Sequence, residues 1–142
     1  MPYWRLFYHI VWVTAGRQPL IAPDRQEALH NVIAAKAAAL GAMVHAVGGI
    51  EDHVHLAVSA PPTVMLATFI GQIKGASSHF ANRELGLEGG FAWQPEYGIV
   101  SLGRKQLGTV VEYVKRQREH HQQGTAIGAL ECVTDEGLAA DR

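Results

Sequence analysis

Two histidines separated by one residue, His53 and His55, follow Asp52 in the segment Asp52-His53-Val54-His55-Leu56. On a β-strand, residues i and i+2 point to the same side, so both imidazoles stand together while Val54, Leu56 and Val58 point the other way, into a core. The strand rise puts their Cα atoms about 6–7 Å apart, close enough for both rings to converge on one ion. Two imidazoles make an incomplete metal site, and a third protein ligand is needed. The same spacing also fits two ordinary histidines on a half-exposed strand. Cys132 is the sole cysteine, which excludes an internal disulfide and a cysteine-based zinc site within one chain.

A second constellation lies about sixty residues further on. Tyr113 and Gln117 are four residues apart, which on a helix puts them on one face, with Arg116, His120 and His121 on or beside it. Val110, Val111 and Val114 form the apolar stripe expected on the opposite side. A phenol with a pKa of about 10 is a poor nucleophile at neutral pH unless cations or a base assist it. Arg104, Lys105, Lys115, Arg116 and Arg118 supply the cations, against only Glu112 and Glu119. Taken alone, the helix fits a surface tyrosine in a basic environment better than a nucleophile. Taken with the histidines, it suggests a metal that polarises a phosphate, a tyrosine that attacks it, and a basic helix that holds the flanking backbone. Gln117 would then give its amide oxygen to the metal. Lys74, with Ser77 and Ser78, is a further candidate for phosphate contact, or else part of a solvated helix face.

These residues need a scaffold, and the chain is large enough to build one. Its 142 residues suit one domain, and 48% apolar with 18% charged residues excludes both a disordered tail and a coiled coil. No apolar run reaches the ~18 residues of a membrane helix, and the N-terminus lacks the layout of a signal peptide, so a cytoplasmic protein is expected. The net charge is −1, but the segment after residue 130 is acidic and the tyrosine helix basic, so one face can be cationic while the whole is neutral. We therefore expect one domain over residues 1–130 and an acidic C-terminal tail over residues 131–142.

Residues 3–14 (YWRLFYHIVWVT) are dense in aromatic and β-branched types and read as a strand. Pro23-Asp24 opens a helix that stops near Gly41. Residues 42–50 and 53–60 read as a hairpin turning at Glu51-Asp52. A second helix spans roughly 63–85, a loop 86–95, a short strand 97–102, and a last helix 105–122, ended by Gly124. Gly71 and Gly75 fall inside the second helix, where close packing is expected to offset their cost of roughly 1 kcal/mol each. Trp93 is expected to cap the core. The order βαββαβα predicts an α+β, ferredoxin-like sandwich: an antiparallel sheet with helices on one face and a C-terminal tyrosine-bearing helix.

The motifs in this order, YHIVWVT (residues 8–14), HVHL (53–56), IKGASS (73–78), WQPEYG (93–98) and YVKRQREHH (113–121), resemble the single-tyrosine HUH transposases of small bacterial insertion sequences, including those associated with repetitive extragenic palindromes. The resemblance covers most of the chain. It implies a dimeric ferredoxin-like nuclease that cuts and rejoins single-stranded DNA with hairpin ends, using Mg²⁺ or Mn²⁺ and no organic cofactor. On that resemblance His53 and His55 are the metal pair, Gln117 the third metal-binding residue, and Tyr113 the nucleophile that becomes joined to a DNA 5′-phosphate. Arg104, Lys105, Lys115, Arg116, Arg118 and Lys74 are the candidate DNA contacts. Two other functions fit the same residues: a domesticated protein that grips hairpin DNA without cutting it, and a metal hydrolase in which Tyr113 is incidental. A homodimer is also expected from the sequence, because the valine stripe is narrow and the first strand, with Trp4, Phe7, Ile10 and Trp12, is too apolar to be left as a bare edge.

Overall fold

A computed structural model of the chain describes residues 2–87 and 90–134. The aromatic and β-branched stretch forms β1 (Phe7–Val13), shorter than the sequence predicts. Pro23 occupies the start of α1 (Pro23–Ala39), where its missing N–H leaves nothing unsatisfied. Past the helix end, Gly41 takes φ 99°, a conformation that favours glycine. β2 (Met43–Ile50) and β3 (His53–Ser59) make the expected hairpin. α2 (Leu66–Glu84) and β4 (Gly98–Leu102) follow.

The last helix is two helices. α3 (Arg104–Lys115) and α4 (Gln117–Gln123) are separated at Arg116, whose φ of −111° and ψ of 33° break the helical path. A short α5 (Gly128–Glu131) lies where the sequence suggests the start of an acidic tail. Glu131 is thus part of a folded element, and residues 135–142 of the expected tail lie outside the described residues.

The sheet order is β2-β3-β1-β4, with every pair antiparallel, as in a ferredoxin-like α+β sandwich. Alternation along the strands divides the side chains between two faces. Ile10 and Trp12 of β1 and Val54, Leu56 and Val58 of β3 pack with Leu29 and Ile33 of α1 and Phe69, Ile70 and Ile73 of α2, forming the main core. Trp93 joins this core, edge-on to Trp12 and Phe91. The other face is covered by α3, α4 and α5, with Ala46 and Ala57 of the sheet meeting Val110, Tyr113, Val114 and Leu130.

Three sequence expectations change here. β1 is an interior strand between β3 and β4, so its apolar side chains are buried within the chain and give no argument for a second subunit. Tyr113 is not opposite the valines: Val110, Tyr113, Val114 and Gln117 share one buried stripe, spaced i, i+3, i+4 and i+7, turned toward the sheet. Gly71 and Gly75 are exposed, and a Cβ at either would meet open space, so no packing among the described residues offsets their cost. Close packing occurs instead at Gly48 of β2, where a Cβ would lie 1.9 Å from the Val114 carbonyl oxygen. That missing side chain lets α3 lie against the sheet edge.

Candidate active site

β3 carries His53 and His55 on the face under α3, as the spacing requires, and both are buried. α3 and α4 bring Tyr113 and Gln117 over them. α5 adds Glu131, which no motif in the sequence points to. The His55 ring lies edge-on to the Tyr113 ring, with centroids 5.8 Å apart. All these residues belong to one chain.

The hydrogen bonds of the two imidazoles decide what else the site can hold. His53 Nδ1 lies 2.7 Å from Asp52 Oδ1, so Nδ1 carries a proton and donates it. In the neutral ring, Nε2 then presents a lone pair. It faces two more acceptors, Gln117 Oε1 at 3.0 Å and Glu131 Oε1 at 3.3 Å. Only a proton or a metal ion between these atoms resolves that convergence of lone pairs. His55 Nε2 lies 2.9 Å from Glu131 Oε2 but outside hydrogen-bonding geometry, and is buried with no directed partner among the described residues. His55 Nδ1 meets His9 Nε2 at 2.7 Å, which orients the ring from behind.

Donor atoms of His53, His55 and Glu131 all lie within 4.8 Å of one another. Ligands about 2.1 Å from a divalent ion stand about 3.0 Å apart when adjacent on an octahedron, and the 2.9 and 3.3 Å separations here match that edge. The residues fit a divalent metal. Gln117 Oε1, beside His53 Nε2, is a fourth donor at the same point, and His121 Nε2 lies 3.2 Å from Gln117 Oε1 and 3.0 Å from Glu131 Oε1.

Electrostatics agree with that role. Burial holds the His55 imidazole below its usual pKa despite Glu131 beside it, so the ring stays neutral and available as a ligand. Burial also works against protonating His53, but Asp52, Gln117 and Glu131 outweigh it and raise its pKa. Burial would raise the Glu131 carboxyl, yet the neighbouring His55, Tyr113 and His53 side chains hold it down to about 2. His9 is lowered to about 3, first by burial and then by His55.

The Tyr113 hydroxyl donates to Glu131 Oε2 at 2.8 Å and accepts the Ile127 backbone N–H, also at 2.8 Å. Its pKa is pushed up to about 12, chiefly by burial. In this state the phenol keeps its proton and is a weak nucleophile. Gln117 is fixed from behind, donating Nε2–H to the Tyr113 carbonyl at 3.1 Å. The helix break therefore presents the Tyr113 phenol and the Gln117 amide oxygen side by side.

The candidate DNA-contacting cations do not form one group. Arg104 and Lys105 lie at the start of α3, and Lys115, Arg116 and Arg118 around the α3–α4 break, all exposed. Arg118 pairs with Glu51 at 2.8 Å, and Arg116 with Glu112 at 3.7 Å. Lys74 stands apart: α2 covers the opposite face of the sheet, and the Lys74 ammonium donates to the Gln94, Pro95 and Glu96 carbonyls at 2.5, 3.2 and 3.2 Å. Those bonds hold the loop before β4.

Comparison with known proteins places this geometry in a family. The family model of IS200-like transposases matches residues 2–117, most of the chain. The chain belongs to the IS200-like transposase family. It is 26% identical over 121 residues to the ISDra2 transposase TnpA of Deinococcus radiodurans, covering 82% of this chain and 86% of that protein. It is 22% identical over 126 residues to the transposase of insertion sequence IS200 from Salmonella typhimurium, covering 85% and 82%. Among solved structures, a REP-associated tyrosine transposase bound to a REP hairpin shares the fold, with a TM-score of 0.62 and 14% identity over 89% of this chain and 76% of that one. The family match of this transposase ends at Gln117, so His121 and Glu131 reach the site from beyond it.

Proposed function

We propose that this transposase cuts and rejoins single-stranded DNA through a covalent bond between Tyr113 and a DNA 5′-phosphate, assisted by a divalent metal ion. The observation that carries this reading is the meeting, in one chain of a transposase family, of the Tyr113 hydroxyl with the buried donors of His53, His55 and Gln117 and the half-buried carboxylate of Glu131. A bound ion supplies Lewis-acid polarisation of the phosphoryl oxygen. Mg²⁺ favours oxygen ligands, and the mixed nitrogen and oxygen donors suit Mn²⁺ as well.

Tyr113 Oη forms the new bond to phosphorus as the bond from phosphorus to the 3′-oxygen breaks. Tyr113 loses one proton and the departing 3′-oxygen gains one, so the exchange is balanced and a free 3′-hydroxyl can reverse it. Glu131 and the Ile127 N–H fix the position of the phenol before attack. Arg104, Lys105, Lys115, Arg116 and Arg118 hold DNA phosphates on the exposed side of α3 and α4. Hairpin recognition is supported by the fold shared with the REP-associated transposase, and action in the cytoplasm by the DNA substrate. The homodimer rests on the family resemblance.

Full-length protein incubated with hairpin-bearing single-stranded DNA and Mn²⁺ should give a denaturation-resistant adduct. Tyr113→Phe should abolish the adduct while DNA affinity stays within about twofold, since the hydroxyl is a small part of a largely electrostatic interface. An adduct that survives Tyr113→Phe would sink the assignment. A second reading, a non-cleaving hairpin-DNA binder, is favoured by the engagement of the Tyr113 hydroxyl on both sides. Tight hairpin binding with no adduct in either metal would select it.

A further inference from the structure

A polar cavity of about 470 Å³ opens beside the candidate active site, between α1 and the α3–α4 break, with Gly48 and Gly49 of edge strand β2 at its floor. Gln117 lines it, so the cavity and the metal donors share a wall. Lys115 and Arg118 line the α3–α4 side, and Gln26, His30 and Asn31 the α1 side. Arg118 is held by Glu51, whereas Lys115 has no carboxylate partner among the described residues. The His30 imidazole is lowered to about 4 by burial, so it faces the cavity region neutral. Glu27, the one carboxylate lining the cavity, stands on α1 and disfavours phosphate there.

The arrangement is therefore divided. Cations stand on the side continuous with the tyrosine helix, and neutral hydrogen-bonding groups on the far side. A phosphodiester fits the first and a nucleobase edge the second. Among the described residues no Phe, Tyr or Trp, the usual sequence-tolerant stacking platforms for a base, lines this cavity, and amides do. Amide side chains of Asn and Gln can exchange two hydrogen bonds with an adenine edge. The Gln26 amide N–H₂ already donates to the Ile21 carbonyl at 3.2 Å, which leaves exposed Asn31 as the free amide.

We propose that this cavity takes up one base of the single strand, at a nucleotide next to the phosphate that Tyr113 attacks, and reads it through Asn31 while Lys115 holds its backbone. The proposal rests on the covalent strand-transfer reading and adds direct base selection by the protein at the cut.

The test uses full-length protein, Mn²⁺ and a pool of single-stranded hairpin oligonucleotides randomised on both sides of the stem, with captured and released fragments sequenced. Wild type should enrich one base, adenine, on the order of tenfold at one position beside the joined phosphate. Asn31→Ala should flatten that position to under about twofold and leave preferences elsewhere intact. Lys115→Ala should lower capture of all sequences alike and weaken its salt dependence. Asn31 is exposed, so the variant should fold, and an unchanged melting temperature checks it. Covalent capture with no base preference beside the joined phosphate, or with a preference that Asn31→Ala leaves unchanged, overturns the pocket while the strand-transfer chemistry stands. Absence of any covalent capture by wild type overturns both.

Discussion

The two faces of one sheet serve different ends. Under α1 and α2, Ile10, Trp12, Val54, Leu56 and Val58 are buried against aliphatic and aromatic side chains. Under α3, α4 and α5, the same strands bury His9, His53 and His55, with Gln117 above them and only a small apolar patch alongside. Burying an apolar side chain contributes roughly 1.5–3 kcal/mol, whereas burying a polar group without a partner costs energy. The second face offsets that cost with a connected set, Asp52 to His53, His9 to His55, and Glu131 to Tyr113. What remains without a directed partner on that face among the described residues, His55 Nε2, is what a metal ion would satisfy. One face is built by apolar packing, and the other holds a cluster of polar and ionisable side chains.

This contrast can be broken from either side. The largest effect is expected on the face under α1 and α2: Leu56→Ala, at a fully buried position, should lower the unfolding free energy in urea by about 3 kcal/mol. It should leave the Mn²⁺ response of the folded fraction unchanged. A loss below about 1 kcal/mol would mean that Leu56 is not a core anchor.

The proposed metal site, on the other face, should have the next largest effect. Mn²⁺ at a hundredfold excess over its dissociation constant should stabilise the wild type by about 2.7 kcal/mol, read as a higher melting temperature that EDTA reverses. His53→Ala with His55→Ala should remove the shift. If the double variant keeps it, the ion binds elsewhere.

Gly48→Ala tests the seam between the sheet edge and the tyrosine helix. The added Cβ meets the Val114 carbonyl, so α3 must move, at about 2 kcal/mol by comparison with other overpacked sites. Adduct yield per folded molecule should fall as well, because Tyr113 moves with α3. Unchanged stability and yield would show that α3 does not need its close approach to β2.

The smallest effect is pH-dependent and comes from α1. His30 is lowered to about 4 by burial, while the unfolded chain titrates near 6.5. Between those values the unfolded state binds the additional proton, so the His30 contribution is complete above pH 6.5 and is lost as pH falls toward 4. In EDTA, wild type should lose about 1–2 kcal/mol more than His30→Gln between pH 7 and pH 5. Parallel pH curves for the two proteins would show that His30 is not buried neutral.

Much of the chemistry is legible in the sequence because it is written in local periodicity. A two-residue spacing on a strand and a four-residue spacing on a helix each fix a shared face, and His53 with His55, and Tyr113 with Gln117, do share one. Periodicity does not say which way that face turns. With cations on both flanks, the sequence reading turns Tyr113 away from Val110 and Val114, yet its i, i+3 spacing from Val110 puts it beside them, and it meets the sheet. Glu131 carries no signal, since a single acid in a four-residue helix has no period to read.

By itself, then, the sequence determined the βαββαβα order, the hairpin at Glu51-Asp52 and the pairing of the histidines on β3, because backbone geometry turns each into a short-range rule. Only the tertiary structure decided that α3 breaks at Arg116 and lies on its own sheet, that His9 backs His55, and that Glu131 reaches between the histidines and Tyr113. Those contacts span up to 78 residues of chain, as between His53 and Glu131. They are selected by what closes the polar face of the sheet at least cost, which no stretch of sequence encodes alone.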